Sequence, residues 1–273
     1  MGDGTITLCT YNILEHGTVT LSVSADTGYP IARIYDRSGV LYWTYTTGAT
    51  PVDRFGFEGD EFGFEGDEFG FGYEEQQDII FTVDQGSAIK NVDLLYIAGH
   101  NFDGRNMAWE CGNDGEYWTA AASWTQRGNG PIIKTLSSAL AKRYWRVKVA
   151  THVNPMCSEI IISDGQAFQV LGNVRPLEQP KGNVGWSKSI GGLERSIKYG
   201  QAVKGWGYRL RFNGQADFDN FKAAMADLDD YSKPFLIKDL NDDYFLARRL
   251  DDPSYEHDPP LRTYEDFSIM EVL

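Results

Sequence analysis

Residues 90–123, KNVDLLYIAGHNFDGRNMAWECGNDGEYWTAAAS, decide the fold. Leu94, Leu95, Tyr96 and Ile97 form an apolar run of strand length, which Gly99-His100-Asn101 breaks. Trp109-Glu110-Cys111 resumes extended structure. Asn113-Asp114-Gly115 then signals a tight hairpin turn, because Asn, Asp and Gly tolerate the positive φ such turns need. Further on, Arg143-Tyr144-Trp145-Arg146-Val147-Lys148-Val149 alternates basic and apolar positions, the period of a half-buried strand.

This series resembles the discoidin-like (galactose-binding-like) jelly roll. The resemblance rests on Gly99-His100-Asn101-Phe102 at a strand end, Asp114-Gly115 and Trp118 in a hairpin, and Arg143-Tyr144-Trp145-Arg146-Val147 in a strand, in that order. It covers roughly residues 20–168 and implies a β-sandwich that serves recognition more often than catalysis. Tyr29-Pro30 and Asp36 resemble a segment that precedes a Trp-bearing strand in such domains of virus particles, and Trp43 would be that Trp.

Around this core the chain is strand-rich. Val19, Leu21 and Val23 share one face of an early strand; residues 40–45, 78–83 and 158–163 read as further strands, the last closing the first domain. Residues 55–61 and 62–68 repeat FGFEGDE, and 69–75 is a degraded third copy. Gly at two positions per copy excludes a coiled coil. The copies carry eight acidic residues and no basic one, more than half of the net charge of −14. Asp60, Glu61, Asp67 and Glu68 could offer oxygens to calcium, but their spacing fits neither an EF-hand nor a nonapeptide repeat, so a solvated insertion is expected.

Residues 171–187, with three Gly and two Pro, read as a linker arm. Residues 188–273 form an α+β unit. Trp206–Phe212 alternates as a strand, and Phe218, Phe221, Met225 and Leu228 place one apolar face on a helix over 217–230. Strands follow at 235–238, 244–250 and 264–273. Two strands, a helix, then Lys233-Pro234-Phe235-Leu236 and Ala247-Arg248 resemble in layout the C-terminal halves of tail-associated proteins of tailed bacteriophages. The expected fold class is therefore mainly β: a jelly-roll sandwich over 1–170, with the acidic insertion at 55–75, and an α+β assembly domain with one helix.

A net charge of −14 argues against nucleic acid or anionic lipid as partner. Three cysteines, Cys9, Cys111 and Cys157, form neither a disulfide framework nor a zinc pattern, and read as buried thiols in a reducing compartment. No apolar run reaches membrane-spanning length, and no cofactor motif, P-loop, GxSxG or HExxH is present. His100, in the turn after a strand, reads as a loop hydrogen-bonder rather than a base, and His16, His152 and His257 lack partners at ligand spacing, so an enzyme is not expected.

The resemblances together imply a structural component of a phage virion tail, at the distal tail or tip, assembled in the host cytoplasm. It would form a homo-oligomeric ring or adaptor with other tail proteins and could contact host surface glycan. The alternative is a carbohydrate-binding module of a non-viral protein, and after that a glycan hydrolase. Discoidin-like modules bind through loops at one end of the sandwich, which points to His100, Asn101, Asp103, Arg105 and Trp124 as ligand-binding candidates. Asn101 and Asp103 could equally cap a turn.

Overall fold

The structure is a computed structural model that describes residues 4–23, 30–35, 43–44, 78–152, 154–171, 175–177, 183–188, 194–199, 205–228, 233–249, 255–258 and 262–271. The FGFEGDE repeat and its expected calcium-free, solvated character lie outside these residues. In chain order the first elements are β1 (Gly4–Cys9), α1 (Ile13–His16), β2 (Thr18–Leu21), β3 (Trp43–Thr44), β4 (Ile79–Asp84) and β5 (Asn91–Ala98). Then come β6 (Asn106–Gly112), β7 (Thr119–Thr125), β8 (Ile132–Ala141), β9 (Tyr144–Val149), β10 (Met156–Cys157), β11 (Glu159–Ser163) and β12 (Gln166–Val170). The remainder is β13 (Arg175–Leu177), β14 (Asn183–Lys188), β15 (Glu194–Tyr199), β16 (Gly205–Phe212), α2 (Gln215–Ala226), β17 (Phe235–Lys238), β18 (Tyr244–Arg249), β19 (Tyr255–Asp258) and β20 (Arg262–Glu271). The protein is mainly β, with every ladder antiparallel among the described residues.

A five-stranded sheet, ordered β2-β4-β9-β6-β7, faces a three-stranded sheet, ordered β11-β5-β8. β9 shows how the sequence builds this sandwich. Trp145, Val147 and Val149 point inward and are fully buried. Arg146 and Lys148 point outward, to Glu110 at 2.5 Å and Asp78 at 2.7 Å. Trp145 and Trp109 meet at the centre with ring centroids 5.1 Å apart. Burying such a side chain contributes about 2–3 kcal/mol. Trp43 also lies in this core, its strand paired with β10. Asn12 closes the β11 edge: its Nδ2 donates to the Ile160 carbonyl at 2.9 Å, and its Oδ1 accepts from Ile162 N–H at 3.1 Å. The hairpin after β6 is longer than a tight two-residue turn. Asp114 Oδ1 accepts from both Glu116 and Tyr117 N–H, so a side chain stabilises a wider loop.

The second body is a closed barrel. Its strands pair in the cycle β16-β12-β1-β17-β18-β20 and back to β16, with β13 and β19 added at the rims. Inward positions of all six strands, among them Ile6, Leu8, Phe168, Phe212, Phe235 and Phe267, join Phe218, Phe221, Met225 and Leu228 of the helical segment in one core. The helix starts two residues earlier and ends sooner than expected. Gly214 caps it without a side chain, and Leu228 packs from the following turn.

Two expected boundaries change. β1 and β12, grouped by sequence with the first domain over 1–170, ladder with strands of the C-terminal unit. The strand expected at 158–163, observed as β11, remains the last strand of the sandwich, since β12 already belongs to the second body. The expected linker arm at 171–187 contains β13, paired with β16, and the start of a β14–β15 hairpin. Main-chain pairing needs no apolar side chains, and Pro176 is tolerated because β13 is an outer strand. The two bodies meet through an apolar layer of Cys9, Leu94, Tyr96, Ile161, Leu236 and Leu246. The three-stranded sheet is thus covered on both faces, which is why all five β11 residues are buried.

Candidate functional site

The sandwich end carrying the sequence candidates is built from three loops, described at 99–105, at 126–130, and at 151–152 with 154–156. Gly99 turns the chain out of β5 with φ +57°, and a Cβ there would stand 2.0 Å from Ser158 Oγ. His100 then enters the interior, 3 % exposed. Phe102 N–H donates to its Nδ1 at 3.2 Å, which leaves Nε2 as the protonated nitrogen, donating to the Gly130 carbonyl at 2.8 Å. The ring is neutral, and burial lowers its pKa below the ordinary imidazole value. It stacks on Phe102, with centroids 5.1 Å apart.

Asn101 ties the first loop to the third. Its Nδ2 donates to the Asn154 carbonyl at 2.9 Å, and its Oδ1 accepts from Met156 N–H at 2.8 Å. His152 Nε2–H donates to the Asn101 carbonyl at 2.7 Å. Asp103 ties the first loop to the second: its Oδ1 accepts from Gly128 N–H, and its own N–H donates to Asn129 Oδ1 at 3.3 Å. Arg105 reaches the Thr151 carbonyl at 2.7 Å. Trp124, half-buried at the end of β7, donates from its indole to Gln126 Oε1 at 3.2 Å, and Lys134 Nζ lies 4.6 Å from its ring centroid.

All five candidates therefore lie at one end of the sandwich. His100 is sealed inside, with both ring nitrogens engaged. Asp103 is exposed, and Asn101, Arg105 and Trp124 are half-buried. Gln126, Asn129, His152 and Asn154 complete the cluster and were not singled out from sequence. The turn-forming run Arg127-Gly128-Asn129-Gly130 was the available signal for the second loop. His152, read as isolated, meets Phe102 edge-on at 6.0 Å.

Both loop histidines donate to main-chain carbonyls rather than to a hydroxyl, thiol or carboxylate. Among the described residues no group of three or more His, Cys, Asp or Glu could hold a metal ion. Cys9, Cys111 and Cys157 are all buried, and burial raises the thiols of Cys111 and Cys157. No described helix is long and apolar enough to cross a membrane.

No family model and no curated protein matches the chain. Among solved structures it is similar to a chitosan-binding module of a chitosanase/glucanase from Paenibacillus sp. IK-5, at 16% identity and TM-score 0.40, covering 56% of this chain and 98% of that one. It is also similar to a family 32 carbohydrate-binding module of C. perfringens in complex with galactose, at 12% identity and TM-score 0.40, covering 58% and 99%. A fucosidase from Ruminococcus gnavus is similar at 18% identity and TM-score 0.41, covering 57% of this chain and 27% of that one.

Proposed function

We propose that this chain is a non-catalytic glycan-binding protein whose sandwich end is the recognition face. The observation that supports this reading is the cross-bonded three-loop platform. His100, Asn101 and His152 hold the loops by bonds to main-chain groups, so the surface is organised before a ligand arrives. Preorganisation removes part of the ordering entropy that binding otherwise costs. In this reading Asp103, Arg105, Asn129 and the Trp124 ring edge touch the sugar, while His100 and Asn101 act as positioning residues. Planar polar groups beside an aromatic ring suit hydroxyls next to apolar C–H faces.

The test is a glycan array probed with the full chain and with an Arg105→Ala/Trp124→Ala variant. The reading expects a saturable ligand whose affinity falls at least about tenfold in the variant, ~1.4 kcal/mol. Equal binding by both proteins, or no ligand, would refute it.

A second reading, a ring-forming or adaptor component of a phage tail, draws on one observation. The β14–β15 hairpin pairs with no other strand among the described residues. A lone two-stranded ladder is marginal in water, and a neighbouring copy or tail partner would complete it. Mass measurement of the full chain against a variant lacking residues 183–199 tests this: the reading expects an oligomer that the deletion dissolves, and a monomeric full chain would count against it.

A further inference from the structure

Between β12 and β16 the barrel wall opens. Their ladder has two register pairs, Gln169 with Arg211 and Val170 with Leu210, and Leu171 N–H donates to the Arg209 carbonyl at 2.8 Å. Toward Gln166 the strands part, and β12 pairs there with β1 alone. Residue 171 turns its main-chain N–H toward β16. By the alternation of an antiparallel strand, 169 and 167 face the same way. Ala167 is therefore aimed into the gap, and no β16 residue is in register with it. A cleft of about 580 Å³ occupies this opening.

The walls of the cleft are polar and already organised. Gln169 Oε1 accepts from Arg211 at 3.0 Å and from Asn213 at 2.9 Å. Arg211 Nε donates to Asn213 Oδ1 at 3.1 Å, and Asp217 Oδ2 accepts from Asn213 N–H at 3.3 Å. Gln166 and Asn220 add two exposed carboxamides at the margin. Arg211 and Asp217 balance each other in charge.

We infer that this cleft is a saccharide site on the barrel, separate from the loop platform of the sandwich. A carboxamide offers a donor and an acceptor, as a sugar hydroxyl does, and four carboxamides line one cavity. A phosphate or carboxylate ligand would meet the charge of Asp217, and a cation that of Arg211. Phe168 and Phe212 are 6 % and 1 % exposed, so neither ring presents its face to a hydrophobic ligand. An added peptide strand gains affinity from successive main-chain rungs, and Ala167 presents one. The volume lies in the small-molecule range, roughly 300–1,000 Å³. The inference does not depend on the sandwich reading.

Calorimetric titration of the full chain with neutral trisaccharides of galactose, glucose and N-acetylglucosamine tests it. Gln166→Ala/Asn220→Ala removes exposed groups outside the bonded network, so folding should survive, with an unchanged melting temperature as the control. In the Arg105→Ala/Trp124→Ala background one saccharide site per chain should remain. Adding Gln166→Ala/Asn220→Ala should weaken that site at least about tenfold. Absence of any site in the loop-end variant, or binding indifferent to the cleft substitutions, overturns the inference. Saturable binding of an extended peptide in place of every sugar also overturns it. A wild-type site lost with the cleft substitutions alone would uphold the cleft and refute the platform.

Discussion

His100 carries more of this structure than a loop residue usually does. Replacing it with Ala would leave the Gly130 carbonyl and Phe102 N–H without their partner and open a void beside Phe102. We expect a loss of about 2–4 kcal/mol, read by denaturant unfolding. Its pKa is lowered in the fold by burial, so the unfolded chain binds the proton more readily. This contribution is present above the ordinary imidazole value, ~6.5, and is lost as pH falls below it toward the folded value. Glu265 has the opposite sign. Burial within the barrel outweighs the pull of Arg249 and raises its carboxyl to about 7, from an ordinary 4.5. Between those values the native state keeps a proton that the unfolded chain has released, so stability falls as pH rises through that window. Melting curves from pH 5 to 8 should therefore gain a steeper downward slope with rising pH in His100→Gln and a shallower one in Glu265→Gln. Parallel curves for all three proteins would contradict both assignments.

At the level of the element, two glycines of the same loop separate backbone strain from steric clash. Gly99 and Gly104 both have positive φ, +57° and +74°. A Cβ at Gly104 would meet nothing within 4 Å, whereas at Gly99 it would overlap Ser158. Gly104→Ala should cost about 1 kcal/mol, and Gly99→Ala at least ~2 kcal/mol more if the crowded neighbour cannot move. Equal unfolding midpoints would show that the loop relaxes. Strand elements were legible where one face is wet. β9 alternates visibly because its outward side chains are charged. β11 does not, because the barrel covers its second face, and EIIIS carries no period. α2 was legible from Phe218, Phe221, Met225 and Leu228, but its start was not, since Gly214 offers no capping side chain.

Across the whole molecule, the barrel was the part least visible in sequence. Its ring is closed by β1 and β12, and nothing in residues 4–9 marks them as partners of residues 236–238. Such long-range register depends on which edges remain unpaired once the chain collapses, not on local pattern. The candidate site divides the same way. Residues 100–105 are adjacent in sequence and were read together, whereas Asn129 and His152 arrive from separate loops. Two consequences follow for fragments. A piece spanning 11–164 contains the sandwich without β1 and β12 and should melt cooperatively by circular dichroism. Deleting residues 1–10 from the full chain should abolish the barrel transition, because β12 and β17 would each lose a partner. An unchanged barrel transition would mean that β1 is dispensable.

Glycan recognition at the three-loop platform is tested most directly by indole ¹H–¹⁵N resonances of the full chain during titration with neutral saccharides. The Trp124 indole N–H, bonded to Gln126 at the platform rim, should shift saturably. The Trp145 indole, bonded to the Lys142 carbonyl in the core, should stay in place. A Trp124 resonance that remains fixed while the chain binds sugar, or a chain that binds none of the saccharides, would contradict the proposed function.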